Sequence, residues 1–428
     1  MARKERRTIG PVELTDMAYG GEAVGRHEGM VLFVNLGAPG DVVNVDVTIT
    51  KKSFVRGSIV ELLEPSPLRT SPPCPYFGNC GGCQWQHVRY EEQLKIKQQL
   101  VAEAFKRIGH LPTEVLPTLG MDDPWYYRNT MEFGFTFESE PGLRRLRGHR
   151  IVPIKECIIS RREINETLDL LWECFAQDRM AEVIPHNAFV RAGDLLPPAV
   201  VGLFGHGEWP DIGDRMVRER PDLIGGVVQR KGRGSEKGRT LLGKDYSEHR
   251  LLSKEYRASI ASFFQVNRLQ TEVLIQTALG WLDPQPGQVV LDAYSGVGTF
   301  TKQLAGKVAR IVAVELGPSA NADARVNLAG VDSVELVEGN FGEVALPVER
   351  VDSVVIDPPR GGISPEGMRG LLCLSPARIV YVSCDPTTLA RDAALLVEAG
   401  YRLERVQPVD LFPQTYHVEN IALMTKVV

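Results

Sequence analysis

A chain of 428 residues has material for more than one hydrophobic core, and its 43% apolar and 24% charged content is ordinary for a globular protein. No apolar run is long enough to span a bilayer, and the basic MARKERR start leads into an acidic, glycine-rich stretch, so neither a membrane span nor a secretory signal is expected and the cytoplasm is the expected compartment. The formal net charge of -5 offers nucleic acid no global attraction, but basic residues cluster at Arg3, Lys4, Arg6 and Arg7, at Arg144, Arg145, Arg147 and Arg150, and at Arg230, Lys231, Arg233, Lys237 and Arg239, where phosphate contact is open to them.

In chain order, residues 9–62 read as short strands with turn punctuation: Val31–Leu36 is apolar, Gly37–Gly40 breaks it, Val42–Ile49 alternates, and Phe54–Leu63 follows. So many short strands in so few residues predict a small β-barrel over 1–64, an architecture used to hold oligonucleotides. A proline-rich linker, Pro65–Pro75, leads into a cysteine cluster. Tyr90–Ile108 has helical periodicity, with Leu94, Ile96, Leu100, Val101, Ala104, Phe105 and Ile108 available for a buried face and Gly109 as the stop. The rest of a central region, 65–255, reads as α+β: strands at Met131–Phe137 and Leu223–Gln229, a helix at Glu163–Gln177 and a flexible basic loop at Gly232–Gly243. Its helix at 90–108 is a candidate to pack on the last domain. From 256 to 428, apolar strands alternate with helices (Val289–Ala293, Ile311–Glu315, Val334–Glu338, Ser353–Asp357, Ile379–Ser383), the rhythm of a doubly wound parallel sheet. The predicted fold is thus a barrel, an α+β middle and a C-terminal α/β domain.

In that last domain the Val289–Ala293 strand runs into Tyr294-Ser295-Gly296-Val297-Gly298-Thr299, then a helix. Two glycines allow a tight turn and close approach to a ligand, while Thr301 in place of a third glycine argues against a dinucleotide. The next strand ends in Glu315, whose carboxylate can accept from both hydroxyls of a ribose. Together these suit an adenosine ligand without a pyrophosphate. The fourth strand ends in Asp357-Pro358-Pro359-Arg360, where two prolines stiffen a loop that presents Asp357 to a cofactor amine or a base N–H. The fifth ends in Ser383-Cys384-Asp385-Pro386, placing Cys384 where ligands of open α/β sheets bind; Cys174 and Cys373 are read as inert and buried. Carbon 5 of a uracil is too poor a nucleophile to attack a methyl sulfonium. Addition of a thiolate at carbon 6 places negative charge on carbon 5, and a base must later remove the carbon-5 proton. Glu419, in His417-Val418-Glu419-Asn420, is a candidate for that base.

Cys74, Cys80 and Cys83 sit in CPYFGNCGGCQWQH, and Cys157 follows in KECIIS. Four soft ligands suit zinc or an iron–sulfur cluster, and Gly81-Gly82 leaves room for a bulky inorganic core; a disulfide is not expected in the cytosol.

Phe263-Phe264-Gln265-Val266-Asn267, Asp357-Pro358-Pro359-Arg360, Ser383-Cys384-Asp385-Pro386 with Leu389-Ala390-Arg391-Asp392, and Phe412-Pro413 with His417-Val418-Glu419 come in the order of the 5-methyluridine RNA methyltransferase family, which this chain resembles. The resemblance implies an S-adenosylmethionine-dependent enzyme with Cys384 as nucleophile, Glu419 as the base, and Gln265, Tyr294, Glu315 and Asp357 lining the cofactor site. Asp385 stands where many members have Asn and Tyr294 where others have Phe; Asn340 is left outside the expected set. The cysteines resemble those of the subset carrying a 4Fe–4S centre, held here by Cys74, Cys80, Cys83 and Cys157, and the barrel resembles the TRAM domain. The expected partner is structured RNA, large-subunit ribosomal RNA ahead of transfer RNA, and the expected state a monomer. A radical S-adenosylmethionine enzyme would need a CxxxCxxC spacing that is missing, an NAD-dependent oxidoreductase has no use for Cys384, and a non-catalytic RNA-binding protein leaves the cysteine and carboxylate set without a purpose.

Overall fold

Alternating apolar residues close the N-terminal strands on themselves. In the computed structural model, which describes residues 7–180, 182–230 and 238–427, strands Thr8–Met17, Ala23–His27, Met30–Asn35, Val42–Thr50 and Phe54–Glu64 form a closed five-stranded barrel. Val12, Leu14, Leu32, Val34, Val43, Val45 and Val55 fill its core, and Trp85, Val88 and Ile96 join it from outside. Arg3, Lys4, Arg6, Lys231, Arg233 and Lys237 lie outside the described residues.

The central region is a seven-stranded sheet in the order Arg239–Gly243, Ile224–Arg230, Ala199–Phe204, Asn187–Ala192, Thr130–Phe135, Pro141–Arg144 and Ile151–Pro153. Its one parallel pair, Ala199–Phe204 with Ile224–Arg230, is joined through the helix Pro210–Glu219, the crossover that parallel strands require. The sequence reading missed five of these strands: Ala199–Phe204 is an apolar run without alternation, Asn187–Ala192 is interrupted by Arg191, Pro141–Arg144 and Ile151–Pro153 are too short to show a period, and Arg239–Gly243 lies within the stretch read as a loop. The helix expected at Glu163–Gln177 starts at Arg162, is α-helical to Leu171, and continues as a π-helical turn through Gln177.

The C-terminal sheet runs Val334–Glu338, Arg310–Glu315, Val289–Ala293, Ser353–Ile356, Arg378–Ser383, Glu419–Lys426, Tyr401–Val409. The first five strands are parallel, and Glu419–Lys426 pairs antiparallel with the strands on both its sides. Helices Arg268–Leu282, Thr299–Leu304, Pro318–Asn327, Pro365–Leu374 and Pro386–Glu398 flank it. Strand order reverses between Val289–Ala293 and Ser353–Ile356, so their carboxyl ends open a crevice.

Two elements that begin before residue 256 pack into the core of this domain. The hairpin Tyr246–Leu251/Lys254–Ser259 buries Leu251, Tyr256 and Ala258 in the same core as Leu274, Val290 and Ile311. Helix Tyr90–Ala104 and its π-helical extension Phe105–Gly109 bury Val101, Ala104 and Phe105 against Leu389, Ala390 and Ala393. Ile96, Val101, Ala104 and Phe105 are buried as expected, whereas Ile108 is 45% exposed and Gln93 and Lys97 are buried.

No helix among the described residues is long and apolar enough to cross a membrane.

Candidate active site

Glu315, at the end of its strand, and residues just past the ends of the other parallel strands line the crevice. A cleft of about 1070 Å³ is lined by Gln265, Tyr294, Glu315, Asp357, Cys384 and Glu419, so the structure brings all six expected residues together, with Asn340 beside them. The floor is the turn after Val289–Ala293. Gly296 and Gly298 have φ of +57° and +86°, a region a side chain rarely adopts, and Tyr294 takes it too, at +66°. Tyr294 sets its ring edge against Phe341 at 5.8 Å.

Glu315 is held by its surroundings: its carboxylate accepts from the N–H groups of Gly296 at 2.9 Å and Gly317 at 2.5 Å. One bond to each oxygen leaves lone pairs for the hydroxyls of a ligand. The central sheet braces the segment carrying Gln265: Asn129 donates from Nδ2 to the Gln265 carbonyl at 3.0 Å, and Arg191 donates to the carbonyls of Ser259 and Ser262, both at 2.7 Å. Asp292, which the sequence reading passed over, is buried on the first strand; its Oδ2 accepts from the Thr301 N–H at 2.9 Å and hydroxyl at 2.5 Å, and burial pushes its pKa up to about 7. The signal was there, since an acid inside an apolar strand needs a partner. Thr301, noted only as a missing glycine, is that partner.

Cys384 follows the strand Arg378–Ser383. Asp385 caps the next helix, accepting from the N–H groups of Thr387 at 2.8 Å and Thr388 at 3.4 Å, a task that Asn would perform through the same oxygen. Glu419 opens the neighbouring antiparallel strand and is 4% exposed. The electrostatics are dominated by burial. It pushes Glu419 up to about 8, with the Asp357 carboxylate adding and Arg360 opposing. It pushes Asp357 up to about 7, with Asp292 adding. Burial pushes the Cys384 thiol up to about 11, helped by the charges of Glu419 and Asp357, while Arg360 opposes by charge and by a hydrogen bond. Arg360 also approaches His417 Nδ1 at 3.3 Å, and burial followed by the Arg360 charge holds that imidazole down at about 4. Arg360 and His417 stood in the quoted motifs but were given no role. Phe263, 69% exposed, stands at the mouth.

A second cavity, of about 750 Å³, is lined by Cys74, Cys80, Cys83 and Cys157, with Arg144, Arg145, Arg147 and His149 around it. The thiols are free, and the Gly82 N–H donates to Cys80 Sγ at 3.4 Å. Burial pushes Cys80 up to about 11 and raises Cys74 and Cys83, with the charge of Cys157 adding to all three. Among the described residues, no three His, Cys, Asp or Glu side chains are grouped tightly enough to hold a metal ion. Cys174 is buried as expected; Cys373 is exposed, because its place on helix Pro365–Leu374 faces away from the core.

A sheet with this order, a glycine turn, an acid at the end of the next strand and a strand-end cysteine lining the same cleft as a buried glutamate is the arrangement of a methyltransferase fold. Known proteins agree. The family model described as tRNA (Uracil-5-)-methyltransferase matches residues 227–427, and that of the TRAM domain matches residues 3–60. An uncharacterized RNA methyltransferase of Clostridium tetani is 33% identical over 96% of this chain and 95% of its own, and one of Gloeobacter violaceus is 34% identical over 97% and 96%. The crystal structure of the Pyrococcus abyssi tRNA (uracil-54, C5)-methyltransferase in complex with S-adenosyl-L-homocysteine superposes with a TM-score of 0.76 at 28% identity, covering 97% of this chain and 100% of that one. The chain belongs to the RNA uracil-C5 methyltransferase family, S-adenosylmethionine-dependent enzymes, and carries an N-terminal TRAM domain.

Proposed function

We propose that this enzyme methylates carbon 5 of a uridine in structured RNA through a covalent bond between Cys384 and carbon 6. The observation that carries the reading is that Cys384, Glu419, Asp357 and Arg360 line one cleft with Glu315 and the glycine turn, with Glu419, Asp357 and Arg360 close enough for their charges to act on the thiol. When bound, S-adenosylmethionine supplies an electrophilic methyl group. Glu315 holds its ribose, Gln265 and Tyr294 line its site, and Asp357, to which no described residue donates a hydrogen bond, receives an N–H from cofactor or base. Arg360 stabilises the Cys384 thiolate as it adds to carbon 6, and the displaced charge reaches carbon 5, which takes the methyl. Glu419 then removes the carbon-5 proton and the thiolate is expelled. Glu419 acts in its ionised form, which burial makes the minor one below about pH 8; once ionised it binds that proton more strongly than an ordinary carboxylate. Phe263 at the mouth offers its face to a base leaving the stack.

The four cysteines fit a 4Fe–4S cluster better than one ion. Zinc needs every sulfur within about 2.3 Å of one point, and among the described residues no three of these thiols are grouped that tightly, though all four line one cavity. Cys74, Cys80, Cys83 and Cys157 would hold the cluster as a structural tie, since methyl transfer requires no electron.

Large-subunit ribosomal RNA is the substrate we propose. Transfer RNA is the second reading, favoured by the full-length likeness to an enzyme named for tRNA uracil 54. The test is incubation with 5-fluorouridine-substituted transcripts of both classes. The class trapped as a denaturation-stable adduct at Cys384 is the substrate, and no adduct with either would refute the covalent mechanism.

A further inference from the structure

Residues of the barrel reach the nucleophile. The turn after its first strand is closed by the Gly21 N–H on the Ala18 carbonyl at 3.0 Å and by the Ala18 N–H on the Glu22 carbonyl at 2.8 Å, and it projects Tyr19 into the C-terminal domain. The Tyr19 hydroxyl donates to the carbonyl oxygen of Cys384 at 3.2 Å. Burial, with the neighbouring charges of Asp385 and Cys384, holds that phenol above its usual range, so it remains a donor. Its ring meets Tyr416 edge-on at 5.6 Å, Tyr416 lies 4.1 Å from His417, and His417 touches Arg360.

The turn is also locked in place. Trp85 Nε1 donates to the Gly21 carbonyl at 3.3 Å, while the N–H groups of Gln84 and Trp85 donate to the Gln414 carbonyl at 3.1 and 3.0 Å. Gly21, at φ +88°, lies so close that a Cβ would meet Tyr416 and Gln84 at 3.1 Å. Buried Glu22 pairs with Arg56 of the barrel at 3.2 Å and Arg147 of the central region at 2.8 Å, fixing the base of the turn from both sides.

We propose that the barrel completes the catalytic centre: Tyr19 is a positioning residue that, with Asn420, sets the direction of the Cys384 side chain. The Ser383 carbonyl is held by Asn420 Nδ2 at 3.1 Å and the Cys384 carbonyl by Tyr19, so the peptide planes on both sides of the nucleophile's Cα are tethered. Fixing both planes fixes the Cα–Cβ vector, and with it the approach of sulfur to carbon 6. The inference rests on the covalent reading above and assigns the barrel a task besides gripping RNA.

Tyr19→Phe keeps the ring and removes only the donor. With the full-length enzyme and the same fluorouridine transcripts, the expected result is trapping about tenfold slower at saturating RNA, the equivalent of one hydrogen bond. The RNA concentration giving half-maximal rate and the affinity for S-adenosylmethionine should be unchanged. Tyr19→Ala should be slower still and also weaken RNA binding. Wild-type trapping rates in Tyr19→Phe would overturn the proposal, because ring packing would then suffice. So would a defect confined to the RNA concentration dependence, which would make Tyr19 an RNA contact only. If the wild-type enzyme itself forms no adduct, the covalent reading fails first and this one with it.

Discussion

At the scale of single residues, Cys384 and Glu419 line the same cleft, yet their replacements should fail differently. Cys384→Ala removes the only group assigned to carbon 6 while leaving Glu315 and the glycine turn intact. Methylation should be abolished and S-adenosylmethionine binding, followed by calorimetry, retained. Glu419→Gln permits attack and methyl transfer but not removal of the carbon-5 proton, so RNA and protein should accumulate as a covalent species on denaturing gels. The same substitution has a stability signature. Folding raises the Glu419 pKa from 4.5 to about 8, so from about pH 4.5 to 8 the folded state holds a proton that the unfolded state has lost. Wild-type stability therefore declines as pH rises through that window, and Glu419→Gln escapes the decline. Without ligands the variant should melt higher, by on the order of 3 kcal/mol at pH 7, and match wild type below about pH 4.5. An advantage that did not grow with pH would place the Glu419 carboxyl in a wetter setting.

At the scale of elements, helix Tyr90–Ala104 steadies the segment that leads to Glu419. Lys97, fully buried, donates to Asp410 Oδ1 at 2.5 Å and to the Phe412 carbonyl at 3.1 Å; Tyr90 donates to Asp410 Oδ2 at 2.9 Å. Gln93 meets Gln414 at 3.0 Å, and the Gln414 N–H returns a bond to Gln93 at 3.1 Å. Two buried charges recover their desolvation only while both are present. Lys97→Met should therefore destabilise by about 3–5 kcal/mol in denaturant melts, and adding Asp410→Asn should restore part of that loss. The periodicity of 90–108 announced a helix but not this polar face, because Gln93 and Lys97 look like solvent-facing residues until their partners from beyond residue 400 arrive.

At the scale of the whole molecule, the cysteine cavity joins the segment following the barrel to the central sheet, with exposed Arg144, Arg145 and Arg147 beside it. Anaerobically purified protein should be brown and carry four iron atoms per chain, measured by metal analysis and visible absorption; equimolar zinc would overturn the assignment. Cys83→Ser should remove the iron and weaken RNA binding or stability far more than S-adenosylmethionine binding, because the cofactor cleft is built from other strands. A folded, iron-free variant that methylates at the normal rate would deny the cluster this role.

What the sequence determined by itself was local in origin. Strand ends, the glycine turn, the Asp357-Pro358-Pro359 loop and the position of Cys384 all follow from short-range patterns, since a parallel strand must end where its apolar run ends and ligands bind beyond that end. The barrel was legible for the same reason, in alternation and turns. The tertiary structure alone decided which distant side chains complete these pieces: Tyr19 at the Cys384 carbonyl, Lys97 at Asp410, Arg191 at Ser259 and Ser262, and the hairpin Tyr246–Ser259 in the C-terminal core. Each is a polar or edge contact across tens to hundreds of residues, and neither composition nor period encodes a partner at that separation. Burial decided the rest. Glu419 reads as an ordinary surface acid in one dimension, and it is the removal of water by packed strands that raises its pKa to about 8.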